Sequence, residues 1–169
     1  GVKAGASMVN DISSGDMDEA MIPVVAALRT PYICMHMQGT PDTMQKDPQY
    51  ENVSLTVLDY LAGKVDQCRK AGMDDIIIDP GFGFGKTIAH NFALLQSLPA
   101  LQIIKRPVMV GLSRKSTIYK TLHITAEEAL NGTTVLHTIA LMNGANILRV
   151  HDVRAAKEAI DLFMAYLKA

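Results

Sequence analysis

The segment Asp79-Pro-Gly-Phe-Gly-Phe-Gly-Lys-Thr87 ends an apolar run with a carboxylate, then supplies glycines that permit sharp turns and close ligand approach. An ionised carboxylate can accept two parallel hydrogen bonds from an amidine-like edge such as a 2-amino-pyrimidinone. The plainer alternative is that Asp79 only caps its own loop backbone. The tail of the segment has a superficial likeness to a phosphate-binding P-loop. The first glycine of that motif would fall on Pro80, which lacks an amide donor, and neither glycine triplet has dinucleotide spacing. ATP and NAD are not the ligands this loop points to.

Two further segments concentrate polar groups. Gly111-Leu-Ser-Arg-Lys-Ser116 sets two cations, Arg114 and Lys115, before an expected helix start at Ser116, where cations and free amides attract an anion. A solvated basic turn is the alternative. Lys115 occupies the position where a nucleophile elbow requires its second glycine, so hydrolase chemistry loses its main support. In Arg149-Val-His-Asp152, strand alternation puts Arg149 and His151 on one face. An arginine there can grip phosphate oxygens in a bidentate manner, whereas His151 on its own also fits a structural histidine bonded to a loop carbonyl. Cys34 and His36 share a strand face, but without a second Cys/His cluster core filling is the simpler expectation than zinc. Met35 and Met37 flank His36 and offer a soft wall for a flat ring.

The elements that must position these groups are legible as alternating runs. Short apolar stretches at Ser7–Asp11, Tyr32–His36, Ile76–Asp79, Val108–Ser113 and Ile147–His151 lack polar alternation, as strands buried on both faces of a parallel sheet do. Helical spacing occupies Met17–Leu28, Val53–Ala71 (stopped by Gly72), Asn91–Leu98 (closed by Pro99), Ala126–Asn143 and Asp152–Leu167. An open Rossmann-type sheet requires a glycine-rich turn after its first strand, which Asn10-Asp-Ile-Ser-Ser-Gly15 does not provide. A TIM-type (β/α)8 barrel instead puts functional residues at the carboxyl ends of several strands, where Asn10, His36, Asp79, Ser113, Arg149 and His151 fall. The expected architecture is α/β, an incomplete barrel of about five βα units forming one domain over residues 1–169.

Composition narrows the function classes. With 16 basic and 17 acidic residues among 169, the chain has no bulk attraction for nucleic acid or an anionic membrane, which favours small polar ligands. Its two separated cysteines, Cys34 and Cys68, give no disulfide framework and suit a reducing, cytoplasmic setting. The apolar runs are far shorter than the ~20 residues of a membrane span. The start at Gly1, directly before an expected buried strand, leads to the expectation that an earlier piece has been removed.

In order and spacing, Val9–Gly15, Met35-His-Met-Gln-Gly-Thr-Pro41, Asp79–Thr87 with His90-Asn91, Gly111–Ser116 and Arg149–Asp152 closely resemble the dihydropteroate synthases, pterin-binding enzymes of folate biosynthesis. The resemblance implies a transferase that condenses 6-hydroxymethyl-7,8-dihydropterin diphosphate with 4-aminobenzoate, with magnesium (Mg2+) assisting diphosphate departure. Carried over by motif, Asn10 and Asp79 bond the pterin ring, Met35 packs on it and Lys115 reaches a ring heteroatom. Gly111 joins the substrate-binding set, Phe84 and Ser116 shape the aminobenzoate pocket where sulfonamides compete, and Arg149 and His151 hold the diphosphate. Lys115, Arg149 and His151 form the expected catalytic set, and Arg114 receives no definite role.

The family's earlier strands carry the metal-ligand asparagine, a second pterin-binding acid and a mobile loop, and none of these motifs is in this sequence. The chain alone is therefore expected to be weak or inactive. A homodimer is expected through the later helices. The competing readings are a methyltetrahydrofolate methyltransferase-type domain, against which the Ser113–Ser116 cluster argues, and a noncatalytic pterin-binding module.

Overall fold

The computed structural model describes residues 1–44 and 46–169. Five strands, β1 (Val9–Asp11), β2 (Tyr32–Met35), β3 (Ile76–Asp79), β4 (Met109–Val110) and β5 (Ile147–Leu148), alternate with helices. The helices are α1 (Met21–Leu28), α2 (Val53–Lys70), α3 (Ile88–Gln96), α4 (Ser116–Leu122), α5 (Leu130–Met142) and α6 (Val153–Tyr166). All pairings are parallel: β1 with β2, β2 with β3, and β4 with β5. A single parallel bridge between Ile78 and Val108 joins the two sheets. Strand neighbours therefore follow chain order, without the reversal that defines an open doubly wound sheet. This is an arc of five βα units, as expected for part of a (β/α)8 barrel.

Side-chain alternation gives the arc two faces. Tyr32, Cys34, Ile76, Ile78, Val108 and Val110 join the main core with the helices. Ile33, Ile77 and Met109, with Ile147 against them, form a separate cluster on the opposite face, the floor of the barrel interior. The outer core leans on α2, whose Val53, Val57, Leu61 and Val65 recur every four residues and are all buried. Burying each such side chain contributes roughly 1.5–3 kcal/mol. Asn52 caps this helix through its side chain, accepting from the amides of Ser54 and Leu55, and Gly72 leaves it in the left-handed region at φ 89°.

Several boundaries differ from the sequence expectation. Helix α1 starts at Met21 rather than Met17, because Asp18 turns the chain first, its carboxylate accepting from the Ala20 amide. Pro99 does not simply close a helix: α3 ends at Gln96, and Pro99 sits in the first turn of a 3-10 helix over Leu98–Ile104, where its missing amide costs nothing. The last two strands are much shorter than the apolar runs that contain them, since pairing stops where the chain turns into the functional loops.

The loop after β1 is tied down by Asp11. One carboxylate oxygen accepts from the Ser13 amide and hydroxyl at 2.9 and 2.8 Å, the other from the Gly15 amide and the Tyr32 hydroxyl, both at 2.7 Å. Burial alone would raise this carboxyl, but the bonds from Tyr32, Ser13 and Gly15 outweigh it and hold it below the usual range. The stabilisation is therefore present above the unfolded-state value and lost as pH falls through the lowered one. Tyr32→Phe should cost roughly 1–3 kcal/mol in urea unfolding at neutral pH. The deficit should shrink under acid, and an equal deficit at both pH values would contradict the role assigned to Asp11.

Candidate functional site

The interior face ends in a layer of chemically active groups. Met35 and Asp79 are register partners on β2 and β3. Gly111 follows β4, and Arg149 follows β5 with its amide bonded to the Val110 carbonyl at 2.9 Å. Asn10, paired with Ile33, is exposed on the same interior face one step lower.

Asp79 is only 1 % exposed. Its Oδ1 accepts from the Gly81 amide at 2.8 Å, which bears out the loop-capping alternative for one oxygen. Its Oδ2 is buried without a hydrogen-bond partner, and the nearest cation is the Arg149 guanidinium at 3.8 Å. Burial pushes the carboxyl above its ordinary range, against the pull of the Gly81 amide, Arg149, Lys115 and Lys86. The result is a carboxylate with one edge saturated by its loop and the other aimed at cationic groups.

Those cations come from three segments. Arg149 lies over Gly111, where an added Cβ would stand 2.9 Å from Nη2 and 3.1 Å from Nε, so the missing side chain makes room for the guanidinium. Lys115 donates to the Phe82 carbonyl and lies 4.7 Å from the Phe84 ring centroid, a cation–π contact. Burial pushes the Lys115 ammonium down to about 8, with Asp79 acting in the opposite direction. Gly111, Ser113, Lys115, Arg149, Val150 and His151 line one cleft of about 220 Å³. His151 does not bond a loop carbonyl. Its Nδ1 meets the buried Ser113 hydroxyl at 2.9 Å, and its amide donates to the same oxygen at 3.2 Å.

The two adjacent cations have opposite fates. Arg114, in the left-handed region at φ 51°, forks onto Asp152 at 2.8 and 2.9 Å and also donates to the carbonyls of Ala126 and Glu127. It clamps the turn before α4 to the segments that open α5 and α6, so the expectation of a paired-cation anion site is corrected: of the adjacent pair, Lys115 alone lines the cleft. Ser116 opens α4 half-buried, Phe84 is half-buried beside Lys115, and Met35 is 1 % exposed, covered with Gly81 beside it.

Lys86 escaped the sequence reading. Only 4 % exposed, it donates to the Gly81 and Phe84 carbonyls at 2.9 and 3.0 Å and meets His36 Nδ1 at 2.9 Å. Burial pushes its ammonium down to about 7 and, with the Lys86 charge adding to the effect, pushes His36 down to about 3. The signal that could have found this lysine is its place in a glycine-rich turn, whose bare carbonyls need a donor. Asn91 acts similarly, its Oδ1 accepting from the Gly83 amide at 2.8 Å. Cys34 fills the core as expected, its sulfur 3.8 Å from that of Cys68.

Among the described residues no group of three or more His, Cys, Asp or Glu side chains is placed to hold a metal ion. No helix among them is long and apolar enough to cross a membrane.

Comparison with known proteins agrees with this geometry. The chain is 40% identical over 169 residues to the dihydropteroate synthase of Escherichia coli K12, an alignment covering 99% of this chain and 60% of that protein. It is 41% identical over 167 residues to the Haemophilus influenzae dihydropteroate synthase, covering 98% and 60%. The chain thus spans about 60% of the length of these curated relatives. Among solved structures, the Yersinia pestis dihydropteroate synthase with a sulfonamide drug complex superposes with a TM-score of 0.94 at 37% identity, covering 99% of this chain and 61% of that one. The Xanthomonas albilineans dihydropteroate synthase in complex with 7,8-dihydropteroate gives a TM-score of 0.91 at 37% identity, covering 99% and 62%. Residues 1–151 match the family model described as pterin binding enzyme, and with the barrel arc and the buried strand-end carboxylate this establishes that the chain belongs to the pterin-binding enzyme family.

Proposed function

We propose that this chain carries the pterin and diphosphate side of a dihydropteroate synthase, a transferase of folate biosynthesis. The observation that carries the reading is the free, buried Oδ2 of Asp79 beside the Arg149 guanidinium. A 2-amino-pyrimidinone edge presents the same kind of planar N–H donors as a guanidinium, so a pterin can replace Arg149 at Asp79 and leave the arginine for the diphosphate. Asn10 on the same face supplies a further ring contact, Met35 borders the ring position, and Lys115 is within reach of a ring heteroatom. Phe84 and Ser116 sit on the turns that Lys115 joins, where 4-aminobenzoate or a competing sulfonamide is accommodated. The similarity to dihydropteroate synthases favours this reading over a methyltetrahydrofolate methyltransferase.

In the reaction the amine nitrogen of 4-aminobenzoate bonds the methylene carbon of the dihydropterin, and the carbon–oxygen bond to diphosphate breaks. Its electron pair leaves with the diphosphate, and the nitrogen then loses a proton. An aromatic amine is already nucleophilic, so stabilising the departing charge is the main demand. Arg149 and His151, the latter oriented by Ser113, line the cleft where that charge would collect. Lys115 adds positive charge below its midpoint near 8. Magnesium belongs to the proposal as a counter-ion of the diphosphate. The described residues do not by themselves make a site for it.

The setting proposed is cytoplasmic, and the assembly a homodimer. The dimer is supported by an apolar groove of about 510 Å³ between α5 and α6, bordered by Met142, Leu162, Phe163 and Tyr166. Leu162 and Met142 are 74 % and 62 % exposed.

Calorimetric titration of this chain with dihydropterin diphosphate should give saturable binding that Asp79→Ala weakens at least about tenfold. Equal binding by both proteins, or none by a folded chain, would remove the basis for the reading. Because binding needs the ionised carboxylate and burial raises Asp79, affinity should fall as pH drops and begin to do so above the ordinary carboxylate value of 3.8. Asp79→Asn should abolish that acid limb.

Gly111→Ala tests the diphosphate side separately. The added methyl displaces the Arg149 guanidinium, so affinity for inorganic diphosphate should drop about tenfold with little loss of thermal stability. Undiminished diphosphate affinity would show that Arg149 does not hold the anion.

A further inference from the structure

We propose that Lys86 is a positioning residue of this site: its buried ammonium, held by His36 Nδ1 and the Gly81 and Phe84 carbonyls, fixes the turn that presents Asp79 and Phe84 and, while protonated, supplies a counter-charge to the Asp79 carboxylate from inside the protein. The consequence for pterin affinity rests on the reading above; the consequence for the turn does not.

The geometry leaves this ammonium no other task. A lysine has three N–H donors, and four acceptors stand around this one, the Gly81 carbonyl, the Phe84 carbonyl and His36 Nδ1 at 2.9, 3.0 and 2.9 Å and the His36 carbonyl at 3.4 Å, so it is saturated inside the protein. The turn it holds has no freedom to settle elsewhere. A Cβ on Gly81 would stand 1.9 Å from the His36 carbonyl oxygen, and one on Gly85 would stand 2.4 Å from that of Gln38, both glycines having positive φ. The loop thus lies directly against the chain leaving β2, and Lys86 fastens it there through His36. That ring is in turn packed edge-on against Tyr60 at 5.1 Å and tilted against Tyr50 at 6.1 Å, while the Tyr50 hydroxyl donates to the Gly85 carbonyl at 2.7 Å.

The charged groups facing Lys86 are Asp79 on β3 and Lys115 before α4, while Arg149 after β5 acts on Asp79 and Lys115. The titratable rings of Tyr50 and Tyr60 face His36 from the loop after β2 and from α2. Lys115 and Arg149 sit on the cleft side, where a ligand would engage them. Lys86 lies on the enclosed side, so its charge stays with Asp79 when the others are drawn to a ligand.

Nuclear magnetic resonance of the ligand-free chain tests this directly. Below the Lys86 midpoint near 7, His36 should carry its proton on Nε2 and leave Nδ1 bare as the acceptor. In Lys86→Met, which keeps the length without the charge, the Asp79 carboxyl and His36 should both titrate at higher pH than in the parent, and the Gly81 and Phe84 amide signals should move. A lysine that merely fills space would lower thermal stability and leave the Asp79 titration where it was, which overturns the proposal. Should Lys86→Met fail to fold, the parent alone decides: a proton on His36 Nδ1 overturns it, and a bare Nδ1 supports it. Titration with 6-hydroxymethylpterin should show about tenfold weaker binding by the variant. If the Asp79 and His36 titrations shift as expected but the parent takes no pterin, the pterin reading falls and the role of Lys86 in the turn stands.

Discussion

Enclosing a carboxylate is among the more costly things a fold can do, and here it sets the terms for everything around the site. Asp79 has surrendered its water and recovered one amide bond, from Gly81. The remaining compensation is cationic, and no single segment supplies it: Lys86 comes from the same loop, Lys115 from the turn after β4 and Arg149 from the end of β5. The two lysines are themselves pushed toward neutrality by burial and pulled back by the carboxylate, so the ionisation of each depends on the others being in place. The loops at this end of the arc are therefore one electrostatic unit.

Barrel geometry makes such a unit possible. Parallel strands in chain order all end on the same side, and the interior phase runs through Ile33 to Met35, Ile77 to Asp79, Met109 to Gly111 and Ile147 to Arg149. The apolar residues form a floor, and the next layer holds the polar and charged groups of the candidate site. A slip of one residue in any strand would exchange core for interior and send the functional side chain among the helices. The close approach of the β3 loop to the chain leaving β2, which only glycine at positions 81 and 85 allows, brings His36 and Lys86 into the same construction.

Arg114 and Lys115 show how little adjacency means. A left-handed turn at Arg114 sends its guanidinium away from the cleft to Asp152, joining three elements that the sequence places far apart. Lys115 is left to face Phe84 and the cleft. One cation holds the scaffold, and its neighbour lines the cleft.

The sequence by itself determined the alternation of buried strands and amphipathic helices, because burial on both strand faces and four-residue helical spacing are written in local hydrophobicity. It also identified the strand-end residues that gather at the site, since ordered motifs with a carboxylate, glycines and cations are properties of the chain in one dimension. Tertiary structure alone decided which polar groups are tied up within the fold and which are left facing the cleft. Asp11 and Ser14 proved to be loop fasteners beside the exposed Asn10, Ser113 the support of His151, and Lys86 a buried hub. Those assignments depend on distances between segments and on how much water each group loses, and neither quantity exists until the strands have been placed side by side.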